Sequence, residues 1–77
     1  MTQHLLKITT RIGIYKFLYD ETSRCICLVC WPDGESAMRI LAAGLPKTIQ
    51  DATIAAENYI RYIENAYPII SAINAAI

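Results

Sequence analysis

The chain has 77 residues, and its seven basic and seven acidic side chains give a formal net charge of zero. A neutral chain has no general electrostatic attraction to nucleic acid or to an anionic membrane. Hydrophobic residues make up 55% of the chain and charged residues only 18%, while a domain this small buries a modest fraction of its surface. We therefore expect one domain over residues 1–77, with apolar surface left over for an interface.

The N-terminal residues lack the basic start and the apolar stretch of a signal peptide. No apolar run approaches the roughly 18 residues that span a bilayer. Three cysteines are an odd number, which favours reduced thiols over a disulfide framework. We therefore predict a cytoplasmic protein that does not associate with membranes.

Residues 5–42 have the patterning of an antiparallel β-meander. Residues 5–12 are rich in β-forming side chains, although their apolar positions also fit a short helix, and Gly13 marks either a bulge or a turn. The Asp33-Gly34 pair is typical of the tight turn between two hairpin strands. The further predicted strands are residues 14–19, 24–31 and 36–42.

The hydrophobic period then changes from two to 3.6, which predicts a helix over residues 49–66. Thr48 is a suitable N-cap with Asp51 in the capping-box position, and Pro68 ends the helix. A second, short apolar helix is predicted from Ile69, Ile70, Ile73 and Ile77. Together these elements predict an α+β fold: a three- to four-stranded antiparallel meander packed on one long helix, with a short C-terminal helix.

Residues 25–31 have no polar side, so we expect this strand to lie at the centre of the sheet with both faces covered. Even-numbered loops on either side fix the facing of the side chains and place Tyr19 opposite Arg24 or Ile26. One face is then predicted to hold Tyr15, Phe17, Tyr19, Ile26, Leu28, Cys30, Ala37, Arg39 and Leu41. The other is predicted to hold Ile14, Lys16, Leu18, Cys25, Cys27, Val29, Trp31, Met38, Ile40 and Ala42. The second face has more small side chains, so we assign the 49–66 helix to it.

The first, aromatic face is the predicted partner-binding site, formed by Tyr15, Phe17, Tyr19 and Arg39. Tyrosine and arginine are enriched at protein interfaces because they combine a large contact area with a polar end. The same aromatics would equally serve as a second core, covered by the C-terminal helix or by the N-terminal segment. A third interpretation is a base-stacking surface, which the position of Lys16 on the other face and the lack of a basic cluster disfavour.

Cys25, Cys27, Cys30 and His4 are four possible zinc ligands, and a small zinc-binding protein is therefore a second alternative. Strand alternation points Cys30 away from the other two thiols, so the four converge only if the strand bulges. Nucleophilic catalysis would need His4 beside a thiol, and His4 lies close to a terminus. We therefore predict free thiols, no bound metal and no cofactor.

The acidic side chains do not form a catalytic pair. Asp20 and Glu21 precede the central strand and Asp33 and Glu35 follow it, roughly 20 Å away at 3.3 Å per residue. General acid–base catalysis needs groups that reach one substrate. The sequence therefore predicts a protein that is not an enzyme and has no catalytic residues.

Two short stretches resemble motifs of the HicB-type antitoxin module. Val29-Cys30-Trp31-Pro32-Asp33-Gly34 is similar to the Pro-Asp turn that follows its second strand, and Thr48-Ile49-Gln50-Asp51-Ala52 is similar to its Thr-x-x-x-Ala helix start. The resemblance covers residues 15–62, with a longer gap between the two motifs and no DNA-binding segment after them. It implies a toxin-binding protein with a partial ribonuclease-H-like fold and no catalysis.

The sequence thus favours a small non-catalytic protein-binding module of the inhibitor, antitoxin or adaptor type, of the kind that phages and mobile elements encode. Its expected partner is another protein, a second copy of itself in a homodimer, or both. The alternatives are a single-stranded nucleic-acid-binding protein that uses the aromatic face, and a small cysteine-rich zinc-binding protein.

Overall fold

The computed structural model describes residues 3–66 and contains four strands followed by one helix. The elements are β1 (Gln3–Thr10), β2 (Gly13–Asp20), β3 (Cys25–Cys30), β4 (Ser36–Ala43) and α1 (Ile49–Ala66). The strands form one antiparallel sheet in the order β1-β2-β3-β4, and α1 contacts all four of them. The predicted α+β class and antiparallel meander are confirmed. Residues 5–12 could have formed a strand or a short helix, and the structure shows residues 5–10 as part of strand β1. The predicted C-terminal helix lies outside the described residues.

The hairpin registers follow from short turns. Thr10 pairs with Gly13 across the first turn, and the Thr10 hydroxyl donates a hydrogen bond to the Gly13 carbonyl over 2.9 Å. In the second hairpin Tyr19 pairs with Ile26, which is one of the two registers that the sequence allowed. Asp20 stabilises that turn, because its Oδ1 accepts a hydrogen bond from the Thr22 N–H over 2.9 Å.

The helix covers the aromatic face of the sheet, so its predicted assignment to the opposite face is wrong. The residues that α1 buries are the small Ala52 and Ala56 together with Ile60. Small side chains do allow a close approach, but they lie on the helix, and the large aromatic side chains come from the sheet. The core consists of Tyr15, Phe17, Tyr19, Ile26, Leu28, Ala52, Ala56 and Ile60.

Three register shifts interrupt the pairing of the strands, and two of them are bulges that change the facing of side chains from the predicted one. On β3, Phe17 pairs with Leu28 while Lys16 pairs with Cys30, so Val29 is an extra residue. Side chains beyond this point exchange faces: Cys30 turns away from the helix, and Trp31 packs against the core beside Tyr15.

The second bulge lies on β4. Ile26 pairs with Ala42 while Cys27 pairs with Ile40, so Leu41 is the extra residue and Ala42 turns toward the core. The facings predicted for Cys30, Trp31 and Ala42 are therefore wrong, because even loop lengths fix the facing only along unbroken strands.

Local hydrogen bonds hold the start of the helix against the sheet. The Thr48 hydroxyl accepts a bond from the Asp51 N–H over 3.1 Å, as expected of an N-cap. Just before it, the buried Tyr19 hydroxyl donates to the Pro46 carbonyl over 2.6 Å. The loop that leads into α1 is thus tied to the aromatic face through Tyr19.

Candidate functional site

Three of the four predicted partner-binding residues lie in the core. Tyr15 is 1% exposed, and Phe17 and Tyr19 are fully buried under α1. No partner can contact these three side chains while the helix is in place. They belong to the core, which is the alternative that the sequence also allowed, and not to a partner-binding site. Arg39 is the exception: it is exposed on the edge strand β4, where its Nη1 donates a hydrogen bond to the Tyr59 hydroxyl over 3.0 Å.

The aromatic side chains pack on one another as a structural core does. The Tyr15 ring stacks on Phe17 at a centroid distance of 6.2 Å and meets the Trp31 ring edge-on at 6.1 Å. Burial, with smaller contributions from Glu64 and Tyr59, raises the pKa of the Tyr15 hydroxyl. These contacts stabilise the fold, and this stabilisation is enough to explain why the aromatic side chains are there.

The opposite face of the sheet is open. No element within residues 3–66 covers it, because α1 packs on the other side. Its large apolar side chains include Leu5, which is 53% exposed, Ile40, which is 65% exposed, and Met38, which is 89% exposed. We define the open face by the residues whose strand positions point away from α1: Gln3, Leu5, Lys7, Thr9, Ile14, Lys16, Leu18, Asp20, Cys25, Cys27, Cys30, Ser36, Met38, Ile40 and Ala43.

An apolar row crosses the middle of the open face. Leu5 pairs with Leu18, Leu18 pairs with Cys27, and Cys27 pairs with Ile40. Paired residues on neighbouring strands point to the same side, so these four side chains form a row, called here the central row. It spans all four strands, over about 14 Å at the usual strand spacing.

Charged side chains flank the central row on both sides. Lys16 lies two residues before Leu18 on β2 and pairs with Lys7 of β1. Asp20 lies two residues after Leu18, on the other side of the row. Two ammonium groups directly opposite each other are unfavourable without an anion nearby, so the lysine pair is suited to a partner that brings a carboxylate.

All three thiols lie on the open face. Cys25 and Cys27 point the same way because they are two residues apart on one strand, and the bulge at Val29 brings Cys30 to that side as well. Burial, with a smaller contribution from Cys25, raises the pKa of the Cys27 thiol. A raised pKa leaves less thiolate near neutral pH, so this cysteine is a poor nucleophile.

His4 lies on the helix side of the sheet, away from the thiols. It pairs with Tyr19 across the strands, its ring stacks on the Tyr19 ring at 6.5 Å, and its Nε2 lies 3.1 Å from a Glu21 carboxylate oxygen. The four proposed zinc ligands therefore do not converge, even with the bulge. Across residues 3–66 no three histidine, cysteine or acidic side chains are arranged to hold a metal ion.

The acidic residues of the turns hold the chain in shape. The Asp33 Oδ1 accepts a hydrogen bond from the Glu35 N–H over 2.9 Å, as Asp20 does from Thr22 in the preceding turn. This agrees with their interpretation as turn residues, because each carboxylate stabilises its own backbone.

A cleft of about 440 Å³ lies where α1 ends, between the helix and two turns of the sheet. Its lining residues are Ile12, Tyr15, Trp31, Pro32, Asp33, Glu35 and Ile63. Ile63 lies in the last turn of α1, which ends at Ala66. The cleft is thus formed at one end of the molecule, away from the open face, which none of the described elements covers.

No protein-family model matches the chain, and neither the curated proteins nor the solved structures include a significant match to it. The resemblance to the HicB-type antitoxin module therefore rests on the two short motifs alone. Within residues 3–66, no helix has the length and the apolarity that crossing a bilayer requires.

Proposed function

We propose that this chain is a non-catalytic protein-binding module that acts through the open face. The observation that carries the proposal is the exposure of Leu5, Met38 and Ile40 on one uncovered sheet face. Single exposed apolar side chains are normal on proteins, whereas a contiguous apolar patch edged by charges is typical of an interface. The interface is thus moved to the face opposite the one that the sequence favoured.

The side chains of this face support binding better than chemistry. The Cys27 thiol has a raised pKa, and the only histidine of the chain lies on the opposite side of the sheet. A nucleophile needs a neighbouring base or a lowered pKa to act. An inhibitor, antitoxin or adaptor needs only a complementary surface, and we place this module in that class, in the cytoplasm.

The nucleic-acid alternative loses the feature on which it depended. Base stacking needs exposed rings, and Tyr15, Phe17 and Tyr19 are buried under α1. None of the residues that define the open face is aromatic. The lysine pair there is better suited to one carboxylate of a protein partner than to a chain of phosphates.

The proposal is tested by placing a charge on the open face. Ile40→Glu introduces a carboxylate into the central row, and Ile54→Glu introduces the same charge on the outer side of α1, where Ile54 is 54% exposed. We expect the wild-type chain to sediment as a species larger than its own 8.6 kDa, either when purified or in an extract of its host. Ile40→Glu should abolish the larger species and Ile54→Glu should leave it unchanged.

Two results would contradict the proposal. One is a wild-type chain that sediments as a monomer both at high concentration and in the host extract. The other is a larger species that both variants retain, which would place the interface elsewhere on the molecule.

A further inference from the structure

We infer that the occupant of the open face is a second copy of this chain, packed face to face about a two-fold axis that runs along the central row. This inference rests on the proposed function, because it names the partner of the same face. Its basis is the arrangement of charge on β2, where Leu18 has Lys16 two positions before it and Asp20 two positions after it. All three point to the open face, since Phe17 and Tyr19 between them are buried on the other side.

An axis along the central row reverses the strand direction in the second copy. Each residue of the row then lies over its own counterpart, and positions two residues before the row lie over positions two residues after it. Lys16 of one copy therefore lies over Asp20 of the other, and the two-fold symmetry forms this ion pair twice. The Asp20 carboxylate already accepts one bond from the Thr22 N–H, and a carboxylate has the capacity for more.

The neighbouring positions are compatible with the same axis. Lys7 lies over Gln3, whose side-chain carbonyl is an acceptor for an ammonium group. On β3, Cys25 lies over Cys30, so thiol meets thiol beside the apolar row. No two like charges of the open face are brought together by this arrangement.

The other face-to-face arrangement, with the axis parallel to the strands, lacks this match. It stacks β1 on β4 and β2 on β3, and it keeps each cross-strand row over itself. Lys16 then lies over Cys30 and Lys7 over Ser36, which belong to the same row. Both ammonium groups would be covered without a carboxylate, which is unfavourable for a buried charge.

The size of the face indicates a weak dimer. Three strands of eight residues and one of six cover at most about 19 by 26 Å at the usual spacings, or about 500 Å² per copy. Two such faces give about 1,000 Å², the lower bound for a specific interface. Two twisted sheets pack about 30° apart, and at two residues from the axis this rotation leaves Asp20 within reach of a lysine side chain.

A charge-exchange experiment tests this geometry. Lys16→Asp places a carboxylate against Asp20 of the second copy, and Asp20→Lys places an ammonium group against its Lys16. Measured by sedimentation equilibrium, each single variant should dimerise at least about tenfold more weakly than wild type. The double variant should recover to within about threefold of wild type, and an equimolar mixture of the two single variants should form a heterodimer.

A matched control and a folding check accompany these variants. Lys47→Asp makes the same charge change on an exposed residue outside the open face, and it should leave the dimer unchanged. Asp20→Lys also removes the hydrogen bond to Thr22, so its thermal unfolding is followed by circular dichroism. Recovery in the double variant, which lacks the same bond, separates the charge effect from this local loss.

The outcomes separate this inference from the proposed function. A wild-type dimer that neither single variant weakens, or a mixture that forms no heterodimer, overturns the two-fold arrangement. A wild-type monomer at several hundred micromolar overturns the second copy as occupant. The proposed function then still stands if Ile40→Glu, and not Ile54→Glu, removes a larger complex in the host extract, and it fails together with this inference if the chain is monomeric there too.

Discussion

At the scale of single residues, Gly13 is a position at the end of the sheet where a side chain would not fit. This glycine begins β2 with a φ of 136°, a conformation that side chains rarely adopt. A Cβ added there would lie 2.9 Å from the Pro32 carbonyl oxygen. The lack of a side chain at Gly13 therefore allows the first turn of the meander to pack against the third turn, which contains Pro32.

We expect Gly13→Ala to lower the free energy of unfolding by about 1–3 kcal/mol, the usual cost of a strained backbone position. Gly34→Ala is the matched control, because Gly34 also has a positive φ, of 92°, but an added Cβ would meet nothing within 4 Å. Urea unfolding of both variants measures the difference. An equal loss in the two would show that the contact with Pro32 contributes nothing.

Tyr19 is the residue whose ionisation should limit stability in alkali. Burial, with Glu21 as the next contribution, raises the pKa of its hydroxyl above the ordinary value. The folded state therefore favours the protonated form, and this contribution is complete below the unfolded pKa of about 10 and is lost as the pH rises through the folded pKa. Because the pKa of Tyr15 is raised too, part of the alkaline loss belongs to that residue.

Tyr19→Phe should lower the melting temperature by roughly 4–8 °C at neutral pH, because the Pro46 carbonyl loses its hydrogen bond. The difference from wild type should shrink above pH 10. Circular dichroism melts from pH 7 to 11 measure both effects. A difference that stays constant over this range would mean that the Tyr19 hydroxyl does not ionise with unfolding.

At the scale of elements, the contact between α1 and the sheet depends on two alanines. Ala52 and Ala56 have no exposed surface, and they let the helix axis approach the aromatic side chains closely. The helix presents small side chains, and they fit against the sheet face that has the large aromatic side chains. This match explains which face the helix covers. It also explains why the opposite face, with exposed Met38 and Ile40, has no cover within the described chain.

Ala56→Leu should therefore destabilise the fold by about 1–3 kcal/mol through overpacking. Glu57→Leu, at the neighbouring exposed position, adds the same leucine without entering the core and should change stability by less than about 0.5 kcal/mol. Thermal or urea unfolding of the two variants provides the comparison. A tolerated Ala56→Leu would indicate that α1 is held loosely on the sheet.

Much of this architecture could be predicted from residue patterns. Apolar residues at every second position predict the strands of the meander, and the pairing of Tyr19 with Ile26 is one of the two registers that the sequence allows. The N-cap Thr48 and the 3.6-residue period predict a helix with the bounds that α1 has. The site could not be located in the same way. A bulge cannot be recognised in an apolar run such as residues 25–31, because every position of the run is apolar. The facing that alternation predicts for Cys30 and Trp31 is therefore wrong.

The choice of face failed for a separate physical reason. The side chains of the two sheet faces do not decide by themselves which face the helix covers. The helix stripe contains Ala52 and Ala56, and small residues there call for large ones opposite. The small side chains of the helix and the large ones of the sheet together predict Tyr15, Phe17 and Tyr19 in the core and the open face as the candidate site.

At the scale of the whole molecule, residues 3–66 form two layers, and none of their elements covers the far side of the sheet. Sheets whose two faces are both apolar are normally covered on both. The central row together with Lys16 and Asp20 gives the uncovered side a self-complementary pattern. In the proposed dimer, a second copy would supply the third and fourth layers.

The thiols on the open face allow its cover to be measured directly. In a chain that carries Cys25→Ser and Cys30→Ser, the alkylation rate of Cys27 by N-ethylmaleimide reports access to the central row. The measurement is made at pH 9, because the raised pKa of Cys27 leaves little thiolate at neutral pH. If a second copy covers the open face, the rate falls at least about fivefold between low and several hundred micromolar chain, and Ile40→Glu removes the dependence. A Cys27 rate that does not change with chain concentration would contradict it.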